Sequence, residues 1–132
     1  MSQTFVLTQA GFKLEAIIER QNQDVLIQLI GGDVPHYGVV TTVGPTTEPQ
    51  TIALPSRPGH HHQEGVLTEL MARLLKPVLQ NNAVIVSGVH VNCIQPEQMQ
   101  AMTGMVTTLS HEIGSWLTAH PREKVIERFA KR

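Results

Sequence analysis

Histidine and glycine carry most of the chemistry this sequence can do, and they gather in three short polar segments. These are GGDVPHYG at 31–38, PGHHHQE at 58–64 and GVHVN at 88–92. One chemistry they suit is anion binding. Gly59 precedes a stretch of helical apolar spacing, where free backbone N–H groups and the helix dipole favour negative charge. Arg57 stands ready as a charged donor, and Gly31-Gly32 would let a ligand approach the backbone closely. An ordinary helix cap explains the same residues equally well. A second chemistry is metal binding. His60 and Glu64 lie four apart on one helical face, and His90, with His36 as a further candidate, would complete a set for zinc or a similar divalent ion. There is no HExxH, and solvated or capping histidines are the competing explanation. Cys93 follows closely on His90, but no neighbour marks it as an activated nucleophile, so it reads as an inert thiol.

The elements that must hold these segments can be read from periodicity. Residues 3–9 form a β-rich run, Gly11 punctuates it, and 12–19 alternate apolar and polar with period two. Residues 21–24 have turn chemistry, and 25–30 form a third strand. This succession predicts an antiparallel meander. Strand character resumes at 37–43 and again at 51–54, across a polar loop. Residues 61–80 show helical spacing through Leu67, Leu70, Met71, Leu74 and Leu75, with Pro77 in the last turn. Residues 83–89 are apolar on both faces, as a central strand requires. Pro96 and Glu97 open a second helix, and His120-Pro121 close it, with a short basic helix expected beyond. The short link at Asn81-Asn82 sends the central strand back along the first helix. A helix of about 20 residues spans roughly 30 Å, and a strand of about seven spans roughly 23 Å, so His90 should return near His60–His62. His36 joins them only if the third strand ends at the same edge.

Composition narrows the class. A chain of 132 residues with 41% hydrophobic content fits one α+β domain. The expectation is a mainly antiparallel sheet of about six strands with two long helices on one face. The domain core runs over about 3–120, with 121–132 as a basic tail. A net charge of −1 argues against nucleic-acid binding. No basic-then-apolar leader and no membrane-length apolar run are present. With one cysteine, no internal disulfide can form, and the plain expectation is a cytoplasmic protein.

Three stretches, GGDVPHYGVV, PGHHHQEGVLTELMARLL and AVIVSGVHVNCIQPEQM, together resemble the LpdD-like prenylated-flavin chaperones, a family that also carries the label amino acid decarboxylase. The similarity runs from about Asp24 to Leu117. It implies a homodimeric fold similar to proteasome assembly chaperones. It implies binding of reduced prenylated FMN as cargo and delivery to a UbiD-type decarboxylase, an accessory chaperone role, and does not imply catalysis by this chain. By motif position it assigns Gly31, Gly32 and His36, then Gly59, His60 and Glu64, then Gly88 and His90 to cofactor binding, with Arg57 added from the anion reading. The alternative is a small metal-dependent enzyme, a hydrolase or decarboxylase, using the His36, His60 and His90 loops, with His60, Glu64 and His90 as metal ligands. A protein-interaction subunit without ligand is a third reading.

Overall fold

The structure, a computed structural model, describes residues 2–55 and 65–131. The chain forms β1 (Gln3–Gln9), β2 (Phe12–Gln21), β3 (Asp24–Gly32), β4 (Val39–Gly44), β5 (Thr47–Ala53), α1 (Gly65–Leu75), β6 (Ala83–His90) and α2 (Pro96–Ala119). The six strands make a single sheet in the order β1-β2-β3-β6-β4-β5. Four of its five neighbour pairings are antiparallel, and the fifth, β3 with β6, is parallel. The meander expected for the first three strands is present. What interrupts an all-antiparallel sheet is β6, which enters between β3 and β4.

The parallel pairing fixes two distinct ends. At one end Gly32 pairs with His90 and Val39 with Ser87 and Ala53. At the other, Arg20 pairs with Val25, Val25 with Ala83, and Ala83 with Val43. They are called here the glycine end and the arginine end.

Alternation places one face of every central strand in the core. Leu14, Ala16 and Ile18 of β2, Ile27 and Leu29 of β3, and Ile85 of β6 are fully buried. Both helices cover that face. α1 lies against β4, β5 and β6, and α2 lies against β1 and β2. α1 buries Met71, Ala72 and Leu75, and α2 buries Met105, Val106, Leu109 and Ile113. Three threonines join α1 to the β4–β5 hairpin. The Thr41 hydroxyl lies 2.6 Å from that of Thr68 and 2.7 Å from that of Thr51. Burial of the Thr41 and Thr68 hydroxyls is tolerated because each finds a partner.

The other sheet face carries no described helix. Across it, Ile52 of β5 sits beside Val40, Val40 beside Val86, and Val86 beside Gln28, which neighbours Ile17. Ile52 is 68% exposed and Val6 is 52% exposed. This face is open, with an apolar stripe through Ile52, Val40, Val86 and Ile17 flanked by Gln28 and by the Lys13–Glu15 ion pair.

Three expectations change. The first helix ends at Leu75 and tightens to a 3-10 turn over Lys76–Val78, because Pro77 has no N–H to continue the α pattern. Its start at 61–64 falls outside the described residues. The polar loop between β4 and β5 shrinks to a tight turn at Pro45-Thr46, so the hairpin strands are longer than their apolar runs. Residues 121–131 form no regular helix. Their apolar side chains Val125, Ile126 and Phe129 are 67%, 83% and 83% exposed. A short segment with no surface to pack against has little to stabilise a helix.

Candidate functional site at the glycine end

Beyond β3 the chain folds back over the end of β6. The Asp33 N–H donates to the His90 carbonyl at 2.6 Å, and the Val34 N–H reaches the same oxygen at 3.3 Å. The Gly38 N–H then donates to the Ser87 carbonyl at 2.7 Å, and the Leu54 N–H to the Gly38 carbonyl at 2.8 Å. Residues 33–38 thus form a cap on the last turn of β6, and the exit of β5 is stitched to the same cap.

Glycine makes this cap possible. A Cβ on Gly88 would stand 1.8 Å from the His36 carbonyl oxygen and 2.9 Å from its ring Cγ. A Cβ on Gly32 would stand 2.1 Å from the His90 carbonyl oxygen, and its φ of +78° is one that side-chain-bearing residues rarely adopt. Gly31 is equally hemmed in by the Lys13 carbonyl oxygen, at 2.2 Å. The space these glycines leave is filled by the protein's own backbone. Their part in the site is to bring His36 onto Gly88, two residues from His90.

Side chains then lock the loops together. The His36 Nδ1–H donates to the Val34 carbonyl at 2.9 Å, which selects that tautomer. The His90 Nε2–H reaches Asn92 Oδ1 at 3.1 Å, and the Asn92 N–H donates to Asp33 Oδ2 at 2.7 Å. Asp33 and Asn92 therefore join the first and third polar segments. Sequence reasoning passed over both, although each sits inside a quoted motif. Tyr37, 56% exposed, donates its hydroxyl to Gln28 Oε1 at 2.6 Å on the open face.

Of the sequence-predicted residues, Gly31, Gly32, His36, Gly88 and His90 are brought together at this end. Arg57, Gly59, His60 and Glu64 lie outside the described residues. The points that flank them are informative. Leu54 leaves the sheet beside Gly38, and Gly65 re-enters with a Cβ position 3.4 Å from Thr51 Cγ2. α1 then runs away from the glycine end, since Arg73 and Lys76 reach Glu48 near the β4–β5 turn. The strand β6 does run back along α1. Among the described residues no group of three or more His, Cys, Asp or Glu side chains could hold a metal ion. Also among them, no helix is long and apolar enough to cross a membrane.

The sequence matches the family described as prenylated flavin chaperone LpdD-like domain over residues 8–118. It is 40% identical to Protein LpdD of Lactiplantibacillus plantarum over 118 residues, which is 89% of this chain and 87% of that protein. This chain belongs to the LpdD-like prenylated flavin chaperone family. Among solved structures, a chaperone complex for yeast 20S proteasome assembly resembles it with a TM-score of 0.48 and 12% identity, over 87% of this chain and 97% of that one. A likeness at that level carries no argument about ligands or partners. The family match takes in all three polar segments and leaves out the basic tail at 121–132. Membership in the LpdD-like family supports a chaperone role for this chain.

Proposed function

We propose that this protein binds reduced prenylated FMN as cargo at the glycine end and delivers it to a UbiD-type decarboxylase. The observation that carries the reading is the convergence of Gly32, His36, Gly88 and His90 on one sheet edge in a chain of this family. The donor set suits the ligand. Imidazoles and an amide offer hydrogen bonds of both senses to the polar edge of a flavin ring. Pre-set by backbone bonds, they lose little freedom when a ligand binds. The phosphate is assigned to the segment before α1, near Gly59 and His60. A helix start there would contribute about 0.3–2 kcal/mol through its dipole, and Arg57 would add roughly 1.5–3 kcal/mol through a charge-assisted bond. Within this reading the chain holds and orients the flavin and shields it, while chemistry belongs to the client. The reading places the protein in the cytoplasm with its client.

The proposal includes a homodimer. Six strands about 4.8 Å apart and some seven residues long present roughly 650 Å² of face. That is close to the ~800 Å² each partner contributes to a standard interface. A second copy of the same face would bury Ile52, Val40 and Val86 of both protomers in a symmetric contact. Light scattering at micromolar concentration should give twice the 14.6 kDa chain mass. A monomer would remove this part of the proposal.

The deciding experiment is a titration of the purified protein with reduced prenylated FMN, ordinary FMN and the dephosphorylated prenylated flavin. Tight binding of the first and weaker binding of the other two is expected. Gly59→Pro, which removes one N–H before the helix, should weaken the phosphorylated form more than the dephosphorylated one. Equal weakening of both, with the fold intact by circular dichroism, would move the phosphate elsewhere. No binding of any of the three would refute the cargo role.

A further inference from the structure

The arginine end holds a cation that no carboxylate among the described residues pairs with. Arg20 points from β2 into the helix-covered side and is 8% exposed. Its Nη1 donates to the His120 carbonyl at 2.5 Å, and its Nη2 reaches Gln80 Oε1 at a long 3.5 Å. Its guanidinium carbon lies 5.3 Å from the centre of the Trp116 ring. The remaining donor, Nε, is buried with no hydrogen-bond partner. Among the described residues no Asp or Glu forms an ion pair with Arg20. The C-terminus of α2 offers only about half a negative charge.

A second guanidinium stands nearby. The Arg122 backbone is pinned by Gln80 and Gln23, whose Nε2 groups donate to its carbonyl at 2.8 and 3.0 Å. Its Nη1 donates to the Asn22 carbonyl at 3.3 Å, a neutral acceptor. Burial first, and then the charge of Arg122, lowers the Arg20 pKa. Among the described residues both guanidinium groups thus have only neutral hydrogen-bond partners. Beside Arg20 opens a cleft of about 200 Å³ counting its mouth, lined by Arg20, Gln23, Val25, Val78, Gln80 and Leu117 among others. Its inner end has room for about one water-sized group.

We propose that this cleft binds a small oxyanion, a carboxylate or phosphate group. One oxygen enters to accept from Arg20 Nε, and the rest of the group faces the mouth, within the field of the Arg122 charge. The fit is chemical as well as spatial. A guanidinium fork presents parallel donors to an oxyanion, and here its orientation is already set by the Trp116 stack and the His120 carbonyl. The site is at the far end of the sheet from the glycine end, so it stands apart from the flavin reading and does not rest on it. The competing explanation is that Arg20 only caps α2, with a water on Nε.

Trp116 is the protein's one tryptophan, and its contact with Arg20 makes it a reporter. Inorganic phosphate and acetate are titrated separately into the intact protein at ionic strength held constant with chloride. A saturable change in Trp116 emission, accompanied by a rise in melting temperature, is expected for at least one of them. The arm that responds names the class of oxyanion. Arg122→Gln removes the second charge while keeping Arg20 on the helix end. Its half-saturation concentration should rise about tenfold, with circular dichroism and flavin titration unchanged. No saturable response to either anion overturns the proposal. So does an Arg122→Gln protein that titrates like the wild type, because the bound anion then lies outside the field of Arg122 and not in the cleft beside Arg20.

Discussion

The two ends of the β3–β6 pair are built from opposite materials. At the glycine end, side chains have been removed so that backbone can lie on backbone. The His36 carbonyl occupies the place of a Gly88 side chain, and the His90 carbonyl that of a Gly32 side chain. At the arginine end, long side chains make the contacts. Arg20, Gln23, Gln80 and Arg122 hold the tail, and Lys76 and Arg73 hold the β4–β5 turn through Glu48. Backbone packing has no rotamers to adjust, so the glycine end should respond to substitution abruptly. Side-chain contacts can re-form or pass to water, so the arginine end should respond by degrees. The glycines also change how a binding motif is read. Their substitution would abolish binding by expelling the loop, whether or not a ligand ever touches them.

The largest effect should come from Gly88→Val. With a Cβ demanded 1.8 Å from the His36 carbonyl oxygen, the 33–38 loop must leave the end of β6. The hydrogen bonds from Asp33 and Gly38 to β6 are then lost with it. Overpacking of this kind costs about 3 kcal/mol or more, read as a lower denaturant midpoint or as failure to fold. A variant that folds with wild-type stability would show that the loop does not lie on Gly88, and the contrast between the ends would collapse.

Much of this contrast was legible beforehand, and the part that was not has a physical reason. Period-two alternation at 12–19 marked β2, the apolar run at 83–89 marked the central strand, and Pro96 marked the start of α2. Sequence could also place His90 back along the first helix, because the Asn81-Asn82 link is short. It could not place His36. That depended on β6 pairing in parallel with β3, a choice made between strands more than fifty residues apart, and neither strand's alternation encodes its neighbour. Thr41 and Thr68 were missed as core residues because a lone hydroxyl reads as solvent-facing until its partner is known. The basic tail is expected to form a short solvated helix, yet a run of charges supplies no surface to bury Ile126 or Phe129. Arg20 belongs to no motif. In an alternating strand its position is on the buried side, and that register was the available signal.

A middle-sized effect is expected from Arg20→Met. The change removes a charge-assisted bond to the end of α2 and the contact with Trp116. It also relieves the cost of burying an unpaired cation, which offsets part of the loss. A net destabilisation of about 1–2 kcal/mol is expected from these opposed terms, measured by urea denaturation, with Trp116 emission shifted. An increase in stability would mean that the buried charge costs more than its contacts return. The arginine end would then be strained, not held, by Arg20.

The smallest effect tests the outermost contact of the same end. Glu48, on the exposed β4–β5 hairpin, accepts from Lys76 at 3.0 Å and from Arg73 at 3.3 Å. The hydrogen bond from Lys76 leads in lowering its pKa below the ordinary carboxylate value of 4.5, with the Lys76 charge next. Slight desolvation opposes them, and Arg73 adds to the lowering. A folded-state pKa below the unfolded one means that the contribution is present above the unfolded pKa. It is lost as pH falls through the folded value. Glu48→Gln should therefore lower the melting temperature slightly at neutral pH, where the carboxylate is charged. The difference between variant and wild type should vanish once the pH drops well below the carboxylate range. It should also shrink in high salt, because exposed pairs are screened. A difference that persists unchanged in strong acid would have to come from packing of the Glu48 stem. The hairpin would then be held, like the glycine end, by shape and not by charge.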